Sequence, residues 1–369
     1  MKDSAPPASH NPIRQNSSSN AYPLSFSQER LFFLYQMDPH NPAFNEPKVL
    51  RVEGNLDLAV LTKVLESVVG RHEVLRSKFY LQDGVPIQKP SHNYSVDLPV
   101  FDLSALAIAS SSCELEVRRL ITEISQRPFD LSTDLMLRSA LLRLSATEHI
   151  LLLVTHHIVS DARSRDILFG EIAALYEAFS QAKPFPLAGL PIQYGDYALW
   201  QREALTNEIL QKQLSYWRQQ LAGIPTVLKL PTDRPRSAAQ TFKGSTEKIV
   251  ISAALTQKLR NLSRQQSVTL FMTLLTAFQI LLSRYTGQEG FLVGVPISGR
   301  RRSQLENLVG FLISSLVLRA DLSGNPTFLG LLARVRETAL GAYAHPDIPF
   351  ERLLQEFQSD RELNGHPMF

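Results

Sequence analysis

The chain has little of the chemistry that supports secreted or membrane-spanning proteins. Cys113 is its only cysteine, so an intramolecular disulfide is excluded and a reducing cytoplasm is the expected compartment. Residues 1–22 are rich in Ser, Asn and Pro and lack the apolar core of a signal peptide, which predicts a disordered leader. No apolar run is longer than that of residues 150–154, which is far too short to span a bilayer.

The chain also lacks a strong excess of either charge. It carries 38 basic and 35 acidic residues, for a net charge of +3. This balance points to no nucleic-acid partner and no membrane-binding patch. The only tight basic run is Arg300-Arg301-Arg302, which is typical of a solvated loop.

The composition and the apolar periodicity indicate an α/β protein. With 369 residues, 44% of them hydrophobic, the chain is long enough for a large core in two lobes. Strand-like and helix-like segments alternate in both halves, as in layered α/β folds. Three prolines in residues 184–191 break this pattern, so we predict an N-terminal lobe over 23–188 and a C-terminal lobe over 189–369. Residues 247–251 are predicted to form a strand of the second lobe.

Two histidines and an aspartate form the main candidate site. His156 and His157 directly follow a nearly continuous apolar strand, and Asp161 stands at the start of a predicted helix. A titratable pair beside a carboxylate suits proton transfer. Because neighbouring strand residues point to opposite faces, one histidine should face a cleft and the other the interior.

Other interpretations of these residues stay open from the local pattern. Histidines at such positions are often satisfied core or loop residues. His157 and Asp161 could bind a metal, although no further ligand stands at useful spacing. Asp161 also suits a purely structural helix N-cap. Arg300 follows a predicted strand and becomes interesting only if a carboxylate meets it.

Several segments, taken together, resemble the condensation domain of nonribosomal peptide synthetases. Each is weak alone, but their order and spacing agree with the family from about Ser25 to the end of the chain. Residues 156–162 (HHIVSDA) resemble the family's HHxxxDG signature. The other segments are residues 25–34 (SFSQERLFFL), 71–79 (RHEVLRSKF), 194–200 (YGDYALW), 310–319 (GFLISSLVLR), 345–351 (HPDIPFE) and, weakly, 361–368 (RELNGHPM).

The resemblance implies a fold and a mechanism. The family fold is a V-shaped pair of chloramphenicol-acetyltransferase-like lobes with the active site between them. Upstream (donor) and downstream (acceptor) peptidyl carrier domains present substrates on phosphopantetheine, and an adenylation domain is an expected neighbour. The acceptor amine attacks the donor thioester to form a peptide bond. No cofactor or metal is expected to be bound by the domain itself.

By the same resemblance, individual residues acquire roles. His157 is the active-site histidine, which orients or deprotonates the amine or stabilises the tetrahedral intermediate. His156 packs inward, and Asp161 is a structural partner of Arg300. Arg71, Arg76 and Ser314 belong to supporting motifs, with Ser314 replacing a residue of the family pattern.

Two departures from the family pattern bear on activity. Ala162 stands where the family has glycine. If that position needs a positive φ, alanine costs roughly 1 kcal/mol or more, but alanine is harmless if the residue merely begins the helix. Family members also continue past their last motif, so we expect the second lobe to be incomplete and to expose a sheet edge.

The alternatives to a peptide-bond-forming domain come from three classes. One is a non-catalytic interface or recruitment module of a synthetase; such relatives usually alter the histidines or the aspartate, which are intact here. The second is a starter-type domain that N-acylates with a fatty acyl donor. The third is an epimerising relative or a related standalone acyltransferase.

Overall fold

The fold is α/β, as predicted, and it divides into two compact units. The computed structural model describes residues 12–16, 21–106, 111–225, 227–234, 244–346 and 348–357. Unit 1 comprises Met1–Ala204 with Ser298–Ile313, and unit 2 comprises Leu205–Ile297 with Ser314–Phe369.

Two sheets form the framework of unit 1. The strands are β1 (Tyr22–Pro23), β2 (Asn45–Glu53), β3 (Ser77–Gln82), β4 (Val85–Pro90), β5 (Val100–Asp102), β6 (Leu137–Arg143) and β7 (Glu148–His156). One sheet has the order β1-β4-β3 and the other β2-β7-β6-β5, with only β5 and β6 parallel within the latter. The predicted buried strand is β7, which lies between β2 and β6.

The helices of unit 1 begin at side-chain caps that the sequence encodes. Ser25 and Gln28 form a capping box, and Asp57 and Asp161 accept hydrogen bonds from backbone amides of the first turn. These helices are α1 (Phe26–Met37), α2 (Leu58–Arg71), α3 (Ser111–Gln126), α4 (Ala162–Ser180) and α5 (Tyr194–Ala204). Helices α2 and α4 pack on each other, and their apolar faces join β6 and β7 in one core.

Unit 2 has a separate core built mainly from helices. Its helices are α6 (Asn207–Leu221), α7 (Ala253–Gln265), α8 (Leu270–Thr286), α9 (Phe328–Ala344) and α10 (Phe350–Phe357). Its described sheet contains two strands, β8 (Gly290–Ser298) and β9 (Ile313–Asp321). Across the described ranges, no single helix is long and apolar enough to cross a membrane; α7 and α8 meet the test only as a pair bent by 104°.

The prediction of a strand over residues 247–251 is wrong. They lie in no strand, and the side chains of Ile249 and Val250 are 90% and 91% exposed. A strand needs a neighbour for its backbone hydrogen bonds, and β-branched composition does not supply one. Within the described part of unit 2, only β8 and β9 pair with each other.

The boundary of unit 1 differs from the one that prolines 184–191 suggested. Helix α5 belongs to unit 1, because Tyr194 and Tyr197 are buried in its core, so the chain crosses to unit 2 after Ala204 rather than after residue 188. Residues 298–313 also belong to unit 1, so unit 1 consists of two segments of the chain, whereas the prediction assumed one boundary along the sequence.

Part of the predicted leader is packed. Ile13 is 3% exposed, its backbone N–H donates to Gln304 Oε1 at 3.3 Å, and its carbonyl accepts from Gln304 Nε2 at 3.0 Å. Tyr22 lies in β1. Residues 1–11 and 17–20 of the leader lie outside the described residues.

Gly310 and Tyr194 meet at van der Waals distance in the core of unit 1. A Cβ on Gly310 would lie 1.8 Å from Tyr194 Cδ2. The Tyr194 ring cannot withdraw easily, because its hydroxyl donates to the Phe311 carbonyl at 2.6 Å and lies 2.8 Å from Ser25 Oγ. Only glycine therefore fits at position 310.

We expect Gly310→Ala to destabilise the protein by at least about 2 kcal/mol, because the new methyl group overlaps a fixed ring. Gly170→Ala is the matched control. Gly170 lies in α4 with no atom near its added Cβ, so alanine should be neutral or stabilise by up to about 1 kcal/mol. Urea unfolding of both variants tests this, and equal midpoints would contradict it.

A buried carboxylate joins α4 to the end of α2. Glu171 accepts from Arg71 Nε at 3.0 Å and lies 2.7 Å from His72 Nε2. Burial alone would raise the pKa of the Glu171 carboxyl, but the hydrogen bonds and positive charge of His72 and Arg71 outweigh it and lower the pKa. The motif residues Arg71 and His72 thus hold two helices together.

We expect Glu171→Gln to lower the free energy of unfolding by about 2 kcal/mol at pH 7. Since the folded pKa lies below the unfolded one, this contribution is present above about pH 4.3 and is lost as the pH falls through the folded pKa. Glu177→Gln, an exposed change on the same helix, is the control. Urea unfolding at pH 7 and pH 3 should show the gap shrinking; a pH-independent gap would contradict it.

Candidate active site around His157

His156 ends β7 and points into the core of unit 1. It is 3% exposed and packs between the rings of Phe44 and Phe129, with centroids at 6.1 and 6.0 Å. Its Nδ1 accepts from the Ile158 backbone N–H at 3.1 Å, so the proton of the neutral ring resides on Nε2. Burial, together with repulsion from His157 when that ring is protonated, lowers the pKa of His156 to about 3. The ring is therefore neutral at ordinary pH.

His157 begins a short 3-10 helix, His157–Val159, and its side chain is 29% exposed. Its Nδ1 lies 2.6 Å from the Ser160 carbonyl oxygen. Because a carbonyl only accepts, Nδ1 must carry the hydrogen, and Nε2 of the neutral ring presents a lone pair. The Phe311 ring packs against the imidazole, with 4.6 Å between the two ring centroids. The ring is thus fixed in the tautomer that a general base requires.

Asp161 caps α4 and is fully occupied by partners. Its Oδ1 lies 2.7 Å from both the backbone N and the Oγ of Ser164 and accepts from Arg300 Nη2 at 2.8 Å. Its Oδ2 accepts from the Leu312 N–H at 3.2 Å. The Asp161 and Arg300 side chains are 4% and 5% exposed. This carboxylate fixes the helix start and is not directed at a substrate.

Arg300 lies in the loop that returns to unit 1 and differs from its basic neighbours. Its Nη1 donates to the carbonyls of Leu305 and Leu308 at 2.9 and 2.5 Å, and its Nη2 also donates to Ser164 Oγ at 2.8 Å. The expectation of a solvated basic run is therefore wrong for Arg300, which meets the carboxylate of Asp161. Arg302 packs over the Trp200 ring at 4.5 Å.

Gln28 supports the histidine loop from α1. The side chain is fully buried and its Nε2 donates to the Ile158 carbonyl at 3.1 Å. Its Oε1 accepts from the Ser25 N–H at 3.1 Å and from Gln88 Nε2 at 3.0 Å. The first motif thus holds the turn that carries His157.

Ala162 is the first residue of α4 and is exposed. It is absent from the described non-glycine residues with positive φ, which are Asp83, Ala182, Ser267 and Asn325. Alanine therefore causes no backbone strain at the position where the family signature has glycine.

The remaining predicted residues lie outside this site. Arg76 is buried and donates to the Ser91 carbonyl at 2.8 Å, so it shapes the turn before β3. Arg71 belongs to the Glu171 cluster. Ser314 lies in β9 and belongs to unit 2. Asp347 and residues 361–368 of the last two motifs lie outside the described residues.

Sequence reasoning missed two charged residues beside His157. Glu46 Oε2 lies 3.6 Å from His157 Nδ1, and Glu46 Oε1 accepts from Arg165 Nη1. No motif contains Glu46, and a charged residue in a strand as polar as β2 is typical of a solvated position. Arg165 stands one helical turn after Asp161, which is the only local signal that it points to the same loop.

A metal site on His157 and Asp161 is not favoured by their contacts. Both Asp161 oxygens are bound to Arg300, Ser164 and Leu312, and His157 Nδ1 is bound to a carbonyl. Throughout the described ranges, no group of three or more His, Cys, Asp or Glu residues is arranged to hold a metal ion.

Asp161→Asn should cost about 3 kcal/mol of stability, because it leaves the buried Arg300 guanidinium without its counter-charge. Asp161→Asn with Arg300→Met should cost less than the sum of the single changes. Urea unfolding of this double-mutant cycle tests the coupling. The same cycle on the largely solvent-exposed pair Glu116 and Arg119 should give only a weak coupling, and equal couplings in the two cycles would contradict the assignment.

Comparison with known proteins agrees with these motifs. Residues 18–369 match the family model of the condensation domain. The chain is 46% identical over 358 residues to one of the linear gramicidin synthase proteins of Brevibacillus parabrevis, covering 97% of this chain but 7% of that protein. It is 40% identical over 362 residues to the malpibaldin synthetase of Mortierella alpina, covering 98% of this chain and 6% of that protein. The chain thus spans a small part of the curated relatives that it matches.

Solved structures show the same fold. The X-domain from teicoplanin biosynthesis, described in complex with OxyB, superposes with a TM-score of 0.87 at 28% identity, covering 97% of this chain and 78% of that one. The first condensation domain of the calcium-dependent antibiotic synthetase superposes at 0.75 and 21% identity, covering 94% of this chain and 79% of that one. The match over nearly the whole chain establishes that it belongs to the condensation-domain family of nonribosomal peptide synthetases.

Proposed function

We propose that this domain forms an amide bond between a carrier-bound acyl or peptidyl donor and a carrier-bound aminoacyl acceptor, with His157 as the catalytic residue. The observation that carries the proposal is the His157 tautomer. Its Nδ1 hydrogen is held by the Ser160 carbonyl, so the partly exposed ring in its neutral form presents the lone pair of Nε2. The family match and the synthetase relatives support the same reaction class.

The proposed chemistry is a single acyl transfer. The acceptor amine attacks the donor thioester carbon, a C–N bond forms and the C–S bond breaks. His157 Nε2 takes the proton that the amine loses and delivers it to the departing thiolate, which returns the ring to its neutral form. Carrier tethers add rate by holding both substrates at the site, since proximity removes much of the entropic barrier.

The partners follow from this chemistry. Upstream and downstream peptidyl carrier domains would deliver the substrates on phosphopantetheine, and an adenylation domain would select the acceptor amino acid. We place the domain in the cytoplasm, in keeping with a chain that has one cysteine, Cys113, and no possible internal disulfide.

A recruitment module is the second candidate function. It is favoured by the TM-score of 0.87 to the X-domain, a structure described as a complex with OxyB. In that case the fold would present a docking surface and His157 would be dispensable. The strain-free backbone at Ala162 and the oriented His157 support catalysis instead.

His157→Ala in the complete synthetase separates the two functions. We expect product formation to fall by at least about 100-fold, because general-base catalysis contributes on that order, while the upstream and downstream carriers stay loaded. The measurement is product yield and carrier occupancy by mass spectrometry.

His92→Ala is the matched control, because His92 is an exposed histidine away from the site, and its product yield should be unchanged. Unchanged yield in His157→Ala would overturn catalysis and favour recruitment. If the unmodified synthetase instead inverts the configuration of the donor residue in its product, the domain is an epimerising relative.

A further inference from the structure

We infer that Glu46 and Arg165 are positioning residues that set the electrostatic environment of His157. The inference rests on the proposed role of His157 as a base. Glu46 supplies a negative charge beside the Nδ1 edge of the ring, and Arg165 holds and partly neutralises that charge. Neither residue touches the proposed reacting nitrogen, so both act through the imidazole.

The pairing of β2 with β7 places Glu46 at the site. Glu46 pairs with Thr155 and Asn45 with His156, so Glu46 stands next to the point where β7 ends and His157 begins. Its side chain is 14% exposed, and its Oε2 is buried without a hydrogen-bond partner in the described structure. At 3.6 Å from Nδ1, Oε2 is too distant for a hydrogen bond but close enough for a strong charge interaction.

Arg165 connects this carboxylate to the helix that Asp161 begins. Its Nη1 donates to Glu46 Oε1, and its own backbone N–H donates to the Asp161 carbonyl at 3.1 Å. The first turn of α4 therefore makes two ion pairs, one to Arg300 and one to Glu46, and the histidine loop lies just before both. Glu46 and Arg165 line a cavity together with the exposed Lys48 and with apolar side chains that include Leu168, Phe169 and Ile172. Because the Glu46 and Arg165 side chains are 14% and 20% exposed, water screens their charges less than it screens surface charges.

The charges around His157 give the expected signs. The neighbouring groups are Glu46 on β2, the neutral His156 on β7, Arg165 on α4, and Asp161, whose charge is balanced by Arg300. Lys48, also on β2, lines the same cavity as Glu46 and Arg165 but is exposed, so water screens its charge. When Nε2 takes a proton, the ring becomes an imidazolium, and Glu46 is the charge that stabilises it. Removing the Glu46 charge should make the ring harder to protonate. Removing the Arg165 charge should make protonation easier.

The test compares Glu46→Gln with Arg165→Met in the complete synthetase. Glu46→Gln should lower the turnover rate on the order of 10-fold, leave the acceptor KM unchanged, and move the acid limb of the pH–rate profile down by about one unit. Arg165→Met should move the same limb up, and Arg165→Lys should restore the wild-type profile. A role in packing alone would not give opposite shifts.

Two measurements keep this inference separate from the proposed function. Histidine titration followed by NMR in the isolated chain, with the signal identified by its loss in His157→Ala, should show the same opposite shifts without any turnover. Glu53→Gln is the matched control, since it removes a charge from the exposed end of the same strand, and it should change neither measurement.

The outcomes distinguish each failure. If His157→Ala is inactive while neither shift appears in Glu46→Gln and Arg165→Met, the inference is wrong and the proposed function stands. If His157→Ala keeps full activity while the NMR shifts appear, the charge effect is real and the catalytic function is wrong. Loss of activity in both variants with unmoved titration would reduce the pair to a packing role and overturn the inference.

Discussion

The ion pair between Asp161 and Arg300 is the interaction on which the rest of the site depends. It joins residues 139 positions apart and brings the loop from residue 298 to 313 back onto unit 1. The same loop supplies Gly310, against which Tyr194 packs, and Phe311, which contacts the imidazole. One buried ion pair thus fixes the start of α4 and the position of the returning loop. Through that loop it also fixes the Phe311 ring that packs against His157.

The histidine itself is held by neutral groups. Backbone carbonyls and a buried amide fix the turn: Ser160 binds the ring and Gln28 binds Ile158. The charged side chains of Asp161 and Glu46 make no hydrogen bond to the imidazole. This arrangement separates two requirements, because uncharged hydrogen bonds set geometry at little desolvation cost whereas charges change how readily the ring takes a proton.

The sequence predicted much of the fold through local chemistry. Helix α4 begins where Asp161 was expected to cap it, because capping depends on residues within one turn. Contacts distant in sequence were harder. Arg300 was paired with Asp161 only through the family resemblance. Glu46 was missed because it meets His157 and Arg165 only after β2 pairs with β7. For the segment around Ile249, the sequence predicted a strand that the structure lacks, since strand-like composition does not create a pairing partner.

The contact between Ile13 and Gln304 has a consequence for how much of the chain the folded body needs. Gln304 stands four residues after Arg300, in the loop that anchors α4, and its amide binds both the N–H and the carbonyl of Ile13. A domain cut at its first motif, near Ser25, would lose a buried isoleucine and strip that amide of both partners. The folded body therefore extends upstream of the first motif at Ser25 and includes Ile13.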